Sequence, residues 1–205
     1  LEVVRDALGP AGAIRCDANG NWDLDTAAAV IPALDRAAGG LEFVEQPCRT
    51  LAEVSALRGR IDIPVAVDQS IRDASDPLRL PLAASADIAV LTVAALGGVR
   101  RALRIAEACG LPCVVSGALE SSIGTAGGLA LAGVLPDTGF ASTLGVGLLG
   151  GDIVSGGRTL MPVDGTLPVS PMPPAPDLAR LATFAAGAET VARWRHRLAS
   201  AQHLI

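Results

Sequence analysis

The sequence contains no lysine and no tyrosine, and its only two histidines, His196 and His203, lie near its end. All sixteen basic residues are therefore arginine. Arginine stays protonated at neutral pH and does not act as a base. The general bases available in the body of the chain are consequently aspartate and glutamate.

Aromatic residues and excess positive charge are also scarce. Phenylalanine and tryptophan make up 2% of the 205 residues, and the formal net charge is −5 with an isoelectric point of about 5.0. Proteins that bind nucleic acid usually carry a basic patch or stripe. The composition therefore argues against a nucleic-acid partner.

Long apolar runs are missing, although half of the residues are hydrophobic and the mean hydropathy is +0.46. No apolar run approaches the ~20 residues that a membrane-spanning helix needs. The chain also does not open on a charged segment followed by an apolar stretch and a small-residue cleavage site. We therefore expect a cytoplasmic protein of one main domain that has no membrane partner.

The cysteines form no CxxC motif. There are four of them, Cys16, Cys48, Cys109 and Cys113, and all lie among apolar residues. Reduced, buried thiols are the simplest interpretation. Zinc binding through Cys109 and Cys113 is an alternative, although neither histidine is near them in sequence.

Short apolar runs recur at regular intervals and predict buried strands. They are Ala13–Asp17, Leu41–Glu45, Ile63–Asp68, Ile88–Val93, Pro112–Ser116 and, more weakly, Phe140–Leu144. Helical patterns lie between them over Asp25–Ala38, Leu51–Arg58, Val99–Cys109 and Thr125–Leu135. Strands alternating with helices indicate parallel βαβ units, and continuously apolar strands indicate a sheet covered on both faces.

The regular alternation stops after residue 150. Residues 161–176 are rich in proline and predict an extended tail that wraps the body of the protein. A last helix is expected from Asp177 to about Leu198. We therefore divide the chain into a βα body over residues 1–150 and a tail with a C-terminal helix over residues 151–205.

A carboxylate ends each of the first three predicted strands. Asp17, Glu45 and Asp68 are separated by 28 and 23 residues, which is about one strand–helix unit each time. The carboxyl ends of parallel strands meet at one rim, where ionised carboxylates would repel one another. Mg²⁺ prefers such oxygen ligands and would remove this repulsion. Helix N-caps or salt-bridge partners in an unrelated α/β domain are the alternative interpretation.

Six longer motifs stand out along the chain: DANGNWD (17–23), VEQP (44–47), IPVAVDQSI (63–71), VLTVAALGGVRRAL (90–103), VVSGALESSIGTAGGLALAG (114–133) and PVDGTLPV (162–169). Together they resemble the enolase superfamily, in its muconate-lactonizing-enzyme-like branch, and within it the o-succinylbenzoate synthases. The resemblance implies a TIM-like (β/α)7β barrel. The first strands and the N-terminal capping domain of the family have no counterpart in this sequence, so the barrel is expected to be incomplete.

The resemblance also implies site residues. Asp17, Glu45 and Asp68 would be the Mg²⁺ ligands, and Asn19, Ser116 and Gly117 would line the substrate pocket. The implied activity is that of a lyase in menaquinone biosynthesis. Such an enzyme removes a proton α to a carboxylate, the metal stabilises the enediolate, and a β-hydroxyl group then leaves.

The sequence departs from this family at its proton-transfer residues. The Lys-x-Lys motif of the second strand would lie upstream, and Thr92 occupies the position of a lysine on the sixth strand. A threonine hydroxyl is neither a cationic acid nor a base at neutral pH. Gln69 also replaces a glutamate beside the third ligand. We therefore expect a fragment that is inactive by itself, with an N-acylamino acid racemase, a dipeptide epimerase or a non-catalytic metal-binding relic as alternatives.

Overall fold

A five-stranded parallel sheet forms the centre of the fold. The computed structural model describes residues 1–117, 119–144, 160, 162–169 and 175–202. The strands lie side by side in chain order. Their bounds are β1 Arg15–Asp17, β2 Phe43–Glu45, β3 Val65–Val67, β4 Ile88–Thr92 and β5 Cys113–Ser116.

Helices connect and follow the strands. Their bounds are α1 Glu2–Leu8, α2 Leu24–Ala38, α3 Leu51–Arg58, α4 Gln69–Arg72, α5 Leu82–Ser85, α6 Val99–Cys109, α7 Ser122–Ala132, α8 Leu178–Thr183 and α9 Ala188–Gln202, with a 3₁₀ turn at Pro77–Arg79. Strand order equal to chain order, with helices between parallel strands, is the arrangement of a TIM-like barrel. The sheet is a curled half of such a barrel, as the sequence predicts.

Local signals explain why the longer helices begin and end where they do. The Asp23 side chain accepts a hydrogen bond from the Thr26 amide at the start of α2. Thr50 and Glu53 form a reciprocal capping box at the start of α3. Helix α6 ends at Gly110, whose φ of 68° is costly for residues with a Cβ.

The two faces of the sheet are buried in different ways. Side chains alternate between the faces of a strand. One face packs against α2, α3, α6 and α7 through a large cluster that includes Ile31, Leu57, Leu91, Ile105 and Leu131. The opposite, concave face carries a small cluster of Phe43, Ala66, Ile88, Val90 and Val114, against which Phe140 packs. The continuously apolar strands are thus buried on both faces, but helices cover only one.

The predicted sixth strand is reduced to a single bridge. Thr143 pairs with Ser116 in parallel orientation, and its amide donates to the Val115 carbonyl at 2.9 Å. The Phe140 ring lies edge-on to Phe43, with 6.0 Å between ring centroids. This segment therefore continues the sheet without forming a strand of its own within the described residues.

Two helices differ from their predicted bounds. Helix α7 occupies Ser122–Ala132 rather than Thr125–Leu135, because Ser121 takes the N-cap conformation and the helix ends at Gly133. The single C-terminal helix predicted from Asp177 is two helices, α8 and α9, separated by residues 184–187. Gly187, a weak helix former, lies in this interruption.

The tail is described only in part. Residues 162–169 contain a tight turn in which Val163 and Thr166 pair, and the Leu160 amide donates to the Ser122 hydroxyl at 3.3 Å. No residue of α8 or α9 is buried. The predicted division at residue 150 lies outside the described residues and stays a prediction. Within the described part of the chain, no helix has the length and apolarity needed to cross a membrane.

Candidate active site

Five polar residues lie at or just beyond the carboxyl ends of the five strands. Asp17 pairs directly with Glu45, and Thr92 pairs directly with Ser116. Asp68 follows β3 and is two residues beyond Ala66, which pairs with Glu45. By the alternation of side chains, all five belong to the concave face that carries Phe43 and Val90. The fold thus brings the three predicted ligands to one rim.

The loop after β1 is tied to the loop after β3. The Asp17 carboxylate accepts a hydrogen bond of 2.8 Å from the Asn19 amide, and Asn19 has a φ of 50°. The Gln69 side-chain amide donates to Asn19 Oδ1 at 2.8 Å. The other atom of that amide group, Gln69 Oε1, is buried and has no hydrogen-bond partner. Asn19, predicted to touch the substrate, is therefore held beside the predicted ligands.

Gln46 is a central residue of the site that was not predicted from the sequence. Its side chain is fully buried, and its Oε1 accepts from the amides of Asp68 and Ser70 at 3.2 and 3.0 Å. Its Nε2 donates to the Cys48 carbonyl and the Ser70 hydroxyl at 2.9 and 2.8 Å. Because Glu45 directly precedes Gln46, these bonds fix the position of Asp68 relative to Glu45. A polar residue between a strand end and a proline was the only sequence signal.

The electrostatics show that the three carboxylates influence one another. Burial raises the pKa of Glu45 to about 7, and the negative charges of Asp17 and Asp68 contribute to the same rise. Burial also raises the pKa of Asp68, although the neighbouring Arg72 guanidinium opposes the shift. Neighbouring carboxylates that resist ionisation together favour a cation among them.

The side chains as they stand do not surround an ion. Among the residues that the structure describes, no three His, Cys, Asp or Glu side chains form a group that would hold a metal. Asp68 instead pairs with Arg72 at 3.2 Å, four residues further along the chain. Asp17 Oδ1 accepts a hydrogen bond from the Asn19 amide within its own loop. Arg72 was not among the residues predicted from the sequence, where its i, i+4 spacing from Asp68 was the only signal.

The donor chemistry nevertheless fits a hard divalent cation. Three carboxylates lie at the ends of neighbouring strands on one rim, and Gln69, the residue after Asp68, has a buried side-chain oxygen without a hydrogen-bond partner. Carboxylate and amide oxygens are the ligands that Mg²⁺ takes. Binding would require Asp68 to exchange its contact with Arg72 for the cation. The zinc alternative at Cys109 and Cys113 lacks a third ligand within the described residues.

The predicted substrate-binding residues of β5 lie on the same rim. Ser116 ends β5, and the Gly117 amide donates to the Thr143 carbonyl at 3.2 Å. Thr92 is 7% exposed and ends β4 beside Ser116. These two strand ends therefore carry hydroxyl groups rather than carboxylates.

Comparison with known proteins identifies the class to which this half-barrel belongs. Residues 1–175 match the enolase C-terminal domain-like family, and the chain is a member of that family. More particularly, it is 53% identical over 170 residues to the o-succinylbenzoate synthase of Thermobifida fusca. That match covers 82% of this chain and 52% of the relative, so the chain spans about half the length of this curated relative.

Solved structures agree with the family. The muconate cycloisomerase of Pseudomonas fluorescens matches with a TM-score of 0.73 and 29% identity, over 89% of this chain and 52% of that one. A dipeptide epimerase of Enterococcus faecalis, in complex with Mg and a dipeptide, matches with a TM-score of 0.60 and 28% identity, over 69% and 41% of the two chains. The predicted superfamily and the incomplete TIM-like barrel are thereby confirmed.

Proposed function

We propose that the chain is the metal-holding part of an o-succinylbenzoate synthase-like lyase, with Asp17, Glu45 and Asp68 as Mg²⁺ ligands. The observation that carries the proposal is the convergence of these three carboxylates at one rim, where Glu45 has a pKa of about 7. The 53% identity to a curated synthase supports the reaction class. The Mg in the related epimerase structure supports the choice of ion.

The proposed substrate is a small carboxylate that carries a β-hydroxyl group. Bound Mg²⁺ would supply positive charge that offsets the negative charge developing on the substrate carboxylate as its α proton is removed. Asn19, Ser116 and Gly117 would orient the substrate at the rim. Gln46 and Gln69 would hold the ligand-bearing loops in place.

The proton-transfer groups are proposed to lie outside these 205 residues. The chain contains no lysine, and Thr92 occupies the strand end where the resemblance implies one. Its hydroxyl does not exchange protons as a base at neutral pH. The 205-residue chain is therefore expected to bind Mg²⁺ without forming o-succinylbenzoate.

Isothermal titration with Mg²⁺ tests the metal assignment. The Asp68→Asn substitution should weaken binding about tenfold or more, because it removes a charged ligand. The matched control is Asp6→Asn, which makes the same change at an exposed position of α1 and should bind as the parent does. Equal affinity in both variants would contradict the assignment of Asp68.

A second measurement separates the metal site from the reaction. The intact mass of the natural gene product, together with its Mg²⁺-dependent formation of o-succinylbenzoate, tests whether a longer chain carries the activity. Turnover by the lysine-free 205 residues would contradict the placement of the proton-transfer groups. A natural gene product with a mass of 20.6 kDa that binds Mg²⁺ without turnover would favour the interpretation as a non-catalytic relic.

The racemase and epimerase alternatives are less well supported. Moving a proton from one side of a carbon to the other requires acid–base groups on both sides of the substrate. Thr92 would leave the β4 side without such a group. The non-catalytic relic is the alternative that Thr92 favours.

A further inference from the structure

Two cysteines meet at the end of the sheet opposite the candidate active site. Cys109 is the last residue of α6, and Cys113 is the first residue of β5. Gly110, in the left-handed conformation, turns the chain between them. Their sulfur atoms lie 3.6 Å apart. Ser116, by contrast, ends the same strand at the rim, so the candidate active site does not use these thiols.

The pair is buried but lies beside a cavity. Cys109 and Cys113 are 6% and 8% exposed. Cys113 lines a cavity of about 300 Å³ whose other walls include Leu103, Leu111 and Leu135. This space is large enough for a solute of a few atoms to come close to Cys113, whose sulfur is 3.6 Å from that of Cys109, whereas the bulk of a protein partner would be excluded.

The pKa values of the two thiols are shifted in opposite directions. The contact between the two thiols lowers the pKa of Cys109, while the same contact and burial raise the pKa of Cys113. This difference in pKa supports Cys109 as the nucleophile of the pair, since the thiolate is the reactive form. Burial instead raises the pKa of both remaining thiols, Cys16 and Cys48.

We propose that Cys109 and Cys113 form a peroxide-reactive dithiol that closes to a disulfide. The Cys109 thiolate attacks one oxygen of a hydroperoxide, the O–O bond breaks, and a sulfenic acid and hydroxide form. The Cys113 sulfur then attacks Cys109 Sγ, the S–O bond breaks, and the hydroxyl leaves with the Cys113 proton as water. In total two thiols lose two electrons, and one hydrogen peroxide becomes two waters.

The geometry allows the second step. A disulfide requires its sulfurs about 2.0 Å apart, so the two atoms must approach by about 1.6 Å from their present 3.6 Å. The short connection through Gly110 keeps the pair together throughout. A sulfenic acid formed at Cys109 would therefore meet its resolving thiol before another oxidant molecule arrives.

Peptide mapping after brief treatment of the 205-residue chain with hydrogen peroxide tests the proposal. Remaining thiols are alkylated, and the disulfide is read as a linked peptide that has lost two hydrogens. We expect the Cys109–Cys113 link to form about tenfold faster than Cys16 or Cys48 is oxidised. Cys16 is the informative comparison because it is more exposed than Cys109 but less acidic.

Single substitutions separate the two roles. In Cys113→Ser, Cys109 should accumulate as a sulfenic acid that dimedone traps, whereas in Cys109→Ser, Cys113 should stay reduced. Cys16→Ser is the control and should form the link at the parent rate. Faster oxidation of Cys16 than of the pair, or no link in the parent chain, would overturn the proposal. Because the parent chain is itself decisive, a variant that unfolds does not leave the question open.

Discussion

The two halves of the sheet end differently, although they share one rim and one face. Strands β1 to β3 end at or next to Asp17, Glu45 and Asp68, whereas β4 and β5 end at Thr92 and Ser116. The pairing of Asp17 with Glu45 repeats in the pairing of Thr92 with Ser116. The backbone therefore offers equivalent positions in both halves, and only the side chains make one half acidic.

The acidic half of the rim is the half that destabilises the fold. The acidic half holds partly buried carboxylates, one of which has a pKa of about 7, and it needs Gln46 and Arg72 to hold them. In the half that ends in Thr92 and Ser116, the loop after β5 is joined by a backbone hydrogen bond from the Gly117 amide to the Thr143 carbonyl. Such an unfavourable arrangement of charge is expected where a ligand binds.

The largest effect should come from removing the support of the acidic half. Gln46→Leu leaves the amides of Asp68 and Ser70 without their acceptor, and each buried unsatisfied group costs about 1–3 kcal/mol. We expect a loss of about 3 kcal/mol in the free energy of unfolding, measured with urea. Gln69→Leu is the comparison; it removes one exposed bond and should cost less than about 1 kcal/mol. Equal costs would mean that Gln46 is not the support inferred here.

A second, pH-dependent effect should separate Glu45 from ordinary carboxylates. The folded-state pKa of Glu45 is raised to about 7, from an unfolded value near 4.5. The contribution of Glu45 to the free energy of unfolding is therefore fully present below pH 4.5 and is lost as the pH rises through 7. Glu45→Gln removes this loss. Without metal, the free energy of unfolding of the variant should rise by about 2 kcal/mol relative to that of the parent between pH 5 and pH 8.

Urea unfolding at the two pH values measures this gain. Glu107→Gln, at an exposed position on α6, is the control and should show no comparable change with pH. A Glu45→Gln variant that follows the parent at both pH values would show that the pKa of Glu45 is not raised in solution.

The smallest effect should be the stabilisation by Mg²⁺, which can be compared between variants of the two halves of the rim. Mg²⁺ at ten times its dissociation constant should stabilise the parent by about 1.4 kcal/mol, measured as a rise in the thermal midpoint. Asp17→Asn should remove most of this rise, whereas Ser116→Ala should retain it. If both substitutions had the same effect, the acidic half would not be the metal-binding half.

Much of the fold could be predicted from the sequence, because it depends on local pattern. The five main strands were expected within two residues at each end, and α3 and α6 at their observed bounds, since apolar runs, caps and Gly110 act over a few residues. The C-terminal region was less predictable. The break between α8 and α9 near Gly187 interrupts a pattern that would otherwise indicate one helix.

Spacing and composition alone establish that acids end three successive strands and that no lysine accompanies them. The folded structure was needed to show that Asp68 pairs with Arg72, that Gln46 joins two loops and that Cys109 touches Cys113. Each of these contacts depends on how neighbouring side chains are turned and how deeply they are buried. Burial and neighbouring charge, which set the pKa of Glu45, exist only once the strands lie side by side.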